Sequence, residues 1–127
     1  MDGEPVVVGA CHCDFCQKRS GSVFGVQAYF ASDQCVAIAG ETKVYNGLAI
    51  DGIASKGGEG LTPDYHFCTT CGSTLYWTLE GSPGETLIGV AVGNFVDRDF
   101  PPPTMEYHTR MRHRWVPVSS AQQHETL

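Results

Sequence analysis

Short β-branched and aromatic runs alternate with glycine-, proline- and serine-rich punctuation along the chain, the pattern of a protein built from short strands. Pro5-Val6-Val7-Val8 leads straight into the first cysteines, so Cys11 is expected at a strand end. Ser22 to Phe30 (SVFGVQAYF), Val36 to Ala39, Thr42 to Tyr45, Asp64 to Phe67 and Ser73 to Leu79 read as further strands. Thr86 to Gly93 is the most continuously apolar stretch and reads as a central strand. Trp115-Val116-Pro117-Val118 reads as a last edge strand, because Pro117 cannot donate to a ladder.

Between these runs, Asn46-Gly47 is a hairpin signal, Gly81-Ser82-Pro83-Gly84 a turn, and Phe100-Pro101-Pro102-Pro103 a stiff surface crossing. Asp51 to Gly60 has no period and reads as a loop long enough to lie over a site. Helix is expected only from Asp14 to Ser20, with Asp14 as its cap and Gly21 as its stop. The sum is six to eight strands in one β-rich domain over residues 1–118, followed by a polar, frayed tail over 119–127.

Composition narrows the function. A chain of 127 residues, 42% hydrophobic and 17% charged, can bury a core as one domain without disulfides. A net charge of -6 argues against a general nucleic-acid or anionic-membrane binder, although Arg110, Arg112 and Arg114 crowd one segment beside His108 and His113. No run approaches the ~18 apolar residues of a membrane span, and the start lacks the positive charge of a secretory signal. The cytoplasm is the expected location, where close cysteines stay reduced and favour metal or thiol chemistry over disulfides. A homodimer is compatible with the sequence.

The six cysteines then carry the chemistry. Cys11-His12-Cys13-Asp14-Phe15-Cys16 puts three thiols on a tight loop, and Cys68-Thr69-Thr70-Cys71-Gly72 is a second close pair. Zinc is held by thiolates at about 2.3 Å in a tetrahedron, so short spacings of this kind are metal-ligand arithmetic. Three local thiolates leave one tetrahedral position for a further ligand, as in a reactive rather than a closed structural site. If the chain stays extended, Cys11 and Cys13 share a face and His12 points away, packed or hydrogen-bonded instead of ligating. Cys16 rides in the first helical turn, where the helix dipole and nearby Lys18 and Arg19 favour a thiolate; a solvated face is the alternative for the two cations. Cys35, beside an apolar run, reads as a small buried hydrophobe.

These motifs give the chain a resemblance to the glutathione-dependent formaldehyde-activating family, whose zinc-binding domain has an Mss4-like, β-rich fold and also occurs in centromere protein V. The matching residues are Cys11 to Lys18, Ser20 to Gly25, His66 to Ser73 and, more loosely, Val92-Gly93-Asn94-Phe95 and Trp115. The resemblance implies a domain of short antiparallel sheets with zinc knuckles and at most one short helix. It implies that Cys11, Cys13 and Cys16 hold a reactive zinc offered to the glutathione sulfur, and that Cys68 and Cys71 supply half of a structural zinc site. The other half in family members is a Gly-Gly-Cys-x-Cys-Gly stretch before the first cluster, and Met1 to Ala10 contain no cysteine. The pair is then an empty dithiol, is completed by Cys35, His66 or a neighbouring chain, or is completed from an upstream segment.

The implied reaction is addition of glutathione to formaldehyde, giving S-hydroxymethylglutathione, and its reversal, a carbon-sulfur lyase activity on a small thiol and a small aldehyde. Lys18, Arg19 and the Arg110, Arg112, Arg114 segment are candidates for the glutathione carboxylates, and His66 or His108 for a proton shuttle. The competing expectation is a non-enzymatic zinc module for a protein or thiol ligand.

Overall fold

The computed structural model describes residues 1–46, 63–80, 86–117 and 121–125. It is mainly β, with one short helix. The strands are β1 (Val7–Cys11), β2 (Gly25–Ala31), β3 (Thr42–Asn46), β4 (Asp64–Cys68), β5 (Thr74–Glu80), β6 (Thr86–Ala91), β7 (Met105–Tyr107) and β8 (Gln122–Gln123); the helix α1 spans Asp14–Ser20. All eight strands join one sheet in the order β3-β4-β5-β6-β2-β1-β7-β8. The expected set of small antiparallel sheets is therefore one continuous sheet, and it is mixed: β7 runs parallel to both β1 and β8.

Period-two alternation sorts the side chains onto two faces. Val26, Ala28 and Phe30 of β2 pack with Val8, Val90, Val92, Phe95 and Phe100, so the segment after β6 closes an apolar face. The opposite face carries Cys11, Phe15, Cys16, Tyr65 and Trp77, with Tyr29, Tyr45 and Tyr107 against them. The cysteine cluster thus stands on an aromatic floor. That floor needs Gly89, which pairs with both Tyr29 and Trp77 across β6: a Cβ there would come within 2.4 Å of the Trp77 ring.

Most expected strands form, and β6 is central. Val36 to Ala39 does not become a strand; Val36 and Ile38 are exposed, with no strand partner among the described residues. Ser22 to Phe24 stays outside β2, because Ser20 Oγ donates to the Phe24 and Gln17 carbonyls and accepts from Ser22 N–H, which holds a turn after the helix. Trp115 to Pro117 is not a strand either: Val116 N–H closes a turn on the His113 carbonyl, and Trp115 is exposed. The sheet edge is instead taken by Gln122–Gln123, so part of the expected free tail joins the sheet beside β7. Gly47 of the expected hairpin turn, the 51–60 loop, the 81–84 turn and Val118 lie outside the described residues.

Candidate metal centre

β1 delivers Cys11 to the end of a paired strand, fixed on one side by Gly25 and on the other by Tyr107. The next backbone N–H, of His12, donates to the Tyr107 carbonyl at 3.0 Å. Cys13 remains extended (φ -65, ψ 153) and is itself the cap of α1, its Sγ accepting from Cys16 N–H at 3.4 Å. Sulfur therefore takes the role expected of Asp14. Gly21 ends the helix with φ 66, its N–H bonded to the Gln17 carbonyl. Cap and helix together turn Cys16 back toward the two strand-borne thiols.

The three Sγ atoms lie within 4.8 Å of one another, Cys11 and Cys13 3.5 Å apart. Thiolates at 2.3 Å from a tetrahedral zinc are about 3.8 Å apart, so the donor set and its spacing fit that ion. Crowding sets the protonation. Hydrogen bonds from Cys11 and Cys16 hold Cys13 well below its ordinary 9.0. The bond to Cys13, with that to Cys16 and with burial, pushes Cys11 far above its ordinary 9.0. Cys16 rises to about 11, since its bond to Cys13 and burial outweigh the lowering bond from Cys11. Thiols in such contact share their protons, and a cation that enters releases them.

His12 faces away from this cluster, as strand alternation requires. It is 1% exposed, tilts against Phe24 at 5.5 Å and has Nε2 3.6 Å from Glu106 Oε2. Burial lowers its pKa, so the ring is neutral. Glu106, 5% exposed, is held by Arg112 Nη1 at 3.0 Å, which also donates to Gln123 at 2.9 Å. Arg112 is thus committed inside the fold, while Arg110 and Arg114 are exposed. Nothing in the local sequence marked Glu106 as that partner; the parallel β1–β7 pairing brings it under His12.

Lys18 is exposed, whereas Arg19 folds back over the aromatic floor. Its guanidinium carbon lies 4.4 Å from the Trp77 ring and 5.5 Å from Tyr65, Nη2 donates to Gln27 at 3.4 Å, and Nε is buried without a partner. No carboxylate pairs with it among the described residues. Arg19 lines a cavity of about 480 Å³ together with Ser20, Ser22, Gly25, Cys71 and Ser73. Gly25 separates this cavity from the cluster: a Cβ there would sit 3.0 Å from Arg19 Nη2 and 3.5 Å from Cys16 Cβ. The motif marked Gly25 only as one residue of a run, and the cavity became visible only with β5 in place.

The two histidines considered for proton transfer separate. His66 bonds to Thr42 Oγ1 at 2.9 Å and stacks on Tyr76 at 4.2 Å. His108 has an unpartnered buried Nδ1, holds a left-handed backbone (φ 54) and acts electrostatically on Cys13.

Cys68 and Cys71 form the turn between β4 and β5. Gly72 N–H reaches the Cys68 carbonyl at 2.9 Å with φ 75, Thr70 N–H reaches Cys68 Sγ at 3.4 Å, and Cys71 Sγ touches Ser73 Oγ at 3.2 Å. All the cysteines and histidines of the chain are among the described residues, and among those residues no third ligand joins this pair. Neither Cys35 nor His66 completes it. Two thiols do not fit a closed tetrahedral zinc.

The model of the glutathione-dependent formaldehyde-activating enzyme family matches residues 1–111. No curated protein matches the chain.

Proposed function

The chain belongs to the glutathione-dependent formaldehyde-activating enzyme family, and from that premise we propose that it is a zinc-dependent carbon-sulfur lyase that adds glutathione, or a closely similar thiol, to formaldehyde and reverses the addition. The observation that carries this is the convergence of the Cys11, Cys13 and Cys16 thiols within 4.8 Å. Zinc bound there would supply a position at which a thiol loses its proton while its sulfur stays nucleophilic, which suits attack on a small carbonyl.

The chain's own residues orient the thiol. Arg19 is a cation already ordered by two aromatic rings and without a carboxylate partner among the described residues, so it suits a carboxylate of glutathione. Ser20, Ser22 and Ser73 add hydroxyls around the same cavity. Lys18, exposed on the same helix, steers the acidic thiol rather than gripping it. As the carbon–sulfur bond forms, the carbonyl oxygen needs a proton, and His108 is the group assigned to hold and return it.

Metal counting with kinetics tests the proposal. About one zinc per chain is expected, from the one cluster of three ligands found among the described residues. Cys13→Ser should lose both that zinc and the glutathione-dependent rate, and glutathione should alter the visible spectrum of the cobalt-substituted protein. Retention of zinc and rate in Cys13→Ser, or a cobalt spectrum indifferent to glutathione, refutes it.

A further inference from the structure

Gln17 directly follows the third thiol of the cluster, and its side chain is neither a metal ligand nor part of the Arg19 cavity. Its amide instead joins the metal loop to a segment 94 to 96 positions away. Nε2 donates to the His12 carbonyl at 2.7 Å and, more weakly, to the Met111 carbonyl at 3.4 Å. Both of these partners can only accept, which fixes the NH2 end of the amide, so Oε1 accepts from His113 Nε2–H at 3.0 Å. The Gln17 backbone closes the same loop, its N–H donating to the Cys13 carbonyl at 3.0 Å. His12 is the one residue between Cys11 and Cys13, and its own N–H is held by the Tyr107 carbonyl at 3.0 Å. The peptide groups on both sides of His12 are therefore tied, one to β7 and one to Gln17.

The far end of this link carries the histidine assigned to proton transfer. A short 3-10 turn over Thr109–Met111 starts at His108, and Met111 N–H returns to the His108 carbonyl at 2.9 Å. His108 holds φ 54, a left-handed conformation that persists in a non-glycine residue only where its surroundings over-determine it. Two anchors do so here. Thr109 N–H and Oγ1 both donate to the His124 carbonyl, at 3.0 and 3.1 Å, and Gln17 holds Met111 and His113. We infer that Gln17 is a positioning residue that fixes the loop bearing Cys11, Cys13 and Cys16 against the segment bearing His108, so that the thiol cluster and the proton-holding ring keep one arrangement. The inference rests on the lyase reading only for the part His108 plays; the hold on the loop stands on the hydrogen bonds alone.

Length and chemistry both suit glutamine to this position. The link needs a donor for two carbonyl oxygens and an acceptor for an imidazole N–H on one side chain, and a primary amide supplies both without charge. Glutamate would set a carboxylate against the two carbonyls, and lysine would leave His113 Nε2–H without its acceptor. His113 is exposed and meets Trp115 edge-on at 5.9 Å, so the link can be cut from outside without opening the core. Arg19, two residues further along α1, directs its guanidinium to Trp77 and Gln27 instead. Seating of the thiol and geometry of the loop are therefore separable by substitution.

Gln17→Met keeps the side-chain length and removes the amide's hydrogen bonds. Zinc-loaded full chains are compared for the rate at which a chelator extracts the zinc, for the visible spectrum after cobalt substitution, and for glutathione and formaldehyde kinetics. Gln17→Met should release zinc about tenfold faster, the worth of one to two neutral hydrogen bonds, and shift the cobalt spectrum. Its kcat should fall about tenfold, with KM for glutathione within about twofold. His113→Ala, cut at the exposed end, should speed zinc release about threefold, and His113→Gln, which restores a donor, should return it to the wild-type rate. In the Gln17→Met background His113→Ala should add nothing, because both changes break one link. Unchanged zinc release and cobalt spectrum in Gln17→Met, additive effects of the two changes, or a rise in KM with kcat intact would overturn the inference. If Gln17→Met does not fold, the His113 variants decide: zinc release in His113→Ala equal to that of the wild type overturns it. Coupled zinc release in a chain that does not turn over formaldehyde would uphold the hold on the loop and defeat only the lyase assignment.

Discussion

Replacing Gly89 by alanine measures how firmly the aromatic floor beneath the metal centre is packed. A Cβ on Gly89 would lie 2.4 Å from Trp77 Cε2 and Nε1 and 2.8 Å from Cζ2. Unstrained contacts of this kind rest near ~3.5–4.0 Å, so the indole must withdraw by roughly 1 Å. Its surroundings oppose that: Trp77 is 2% exposed, with Tyr65 at 5.3 Å, the edge of Tyr29 at 6.2 Å and the Arg19 guanidinium at 4.4 Å. Overpacking at such a site costs about 1–3 kcal/mol. For a domain of this size each kcal/mol moves the melting midpoint by roughly 3–6 °C, so a fall of about 5–15 °C is expected. Denaturant and thermal unfolding measure it. Tryptophan emission in a Trp115→Phe background isolates Trp77, because the chain has two tryptophans. The same withdrawal should loosen Arg19 and slow its carboxylate-dependent steps. A change below about 0.5 kcal/mol with unmoved Trp77 emission would refute the packing argument.

Other consequences are equally direct. Arg112→Met strands the buried Glu106 carboxylate and should cost about 2–4 kcal/mol in denaturant unfolding, most of it recovered in the Arg112→Met, Glu106→Gln double variant; a single-variant loss under about 1 kcal/mol would contradict the pairing. In glutathione kinetics, Arg19→Met should raise KM about tenfold and Lys18→Ala no more than about twofold, an order that equal effects would reverse. Burial raises the Tyr29 and Tyr65 phenols above their ordinary value of 10.0. The unfolded chain therefore loses those protons first, so stability is full below pH 10 and falls as pH rises beyond it. Spectrophotometric titration should show these two phenols ionising together with alkaline unfolding; smooth early titration of both would count against their burial.

How much could be read in advance depended on how local each cause was. The helix over Asp14–Ser20 formed where a polar segment met Gly21, because capping and termination act within a few residues. The orientation of His12 followed from strand alternation alone. Val36 to Ala39 and Trp115 to Pro117 misled for the same reason in reverse: an apolar run is a strand only if a neighbouring strand presents its ladder, and neither stretch meets one among the described residues. Gln122–Gln123, with no apolar signal, became a strand because β7 offered it an edge.

The amino-acid sequence by itself determined the β-rich class, the short helix and the three-thiol cluster, since spacing over six residues and the alternation of β1 already aim those sulfurs at one point. Only the tertiary structure decided what surrounds them. Glu106 reaches His12 through a parallel pairing across nearly a hundred positions, and Arg19 acquires its aromatic seat from β4 and β5. Cys71 shares a cavity with Arg19 because the β4–β5 turn and the start of β2 both line it. Contacts of that separation depend on which strands become neighbours in the sheet, which no local pattern encodes.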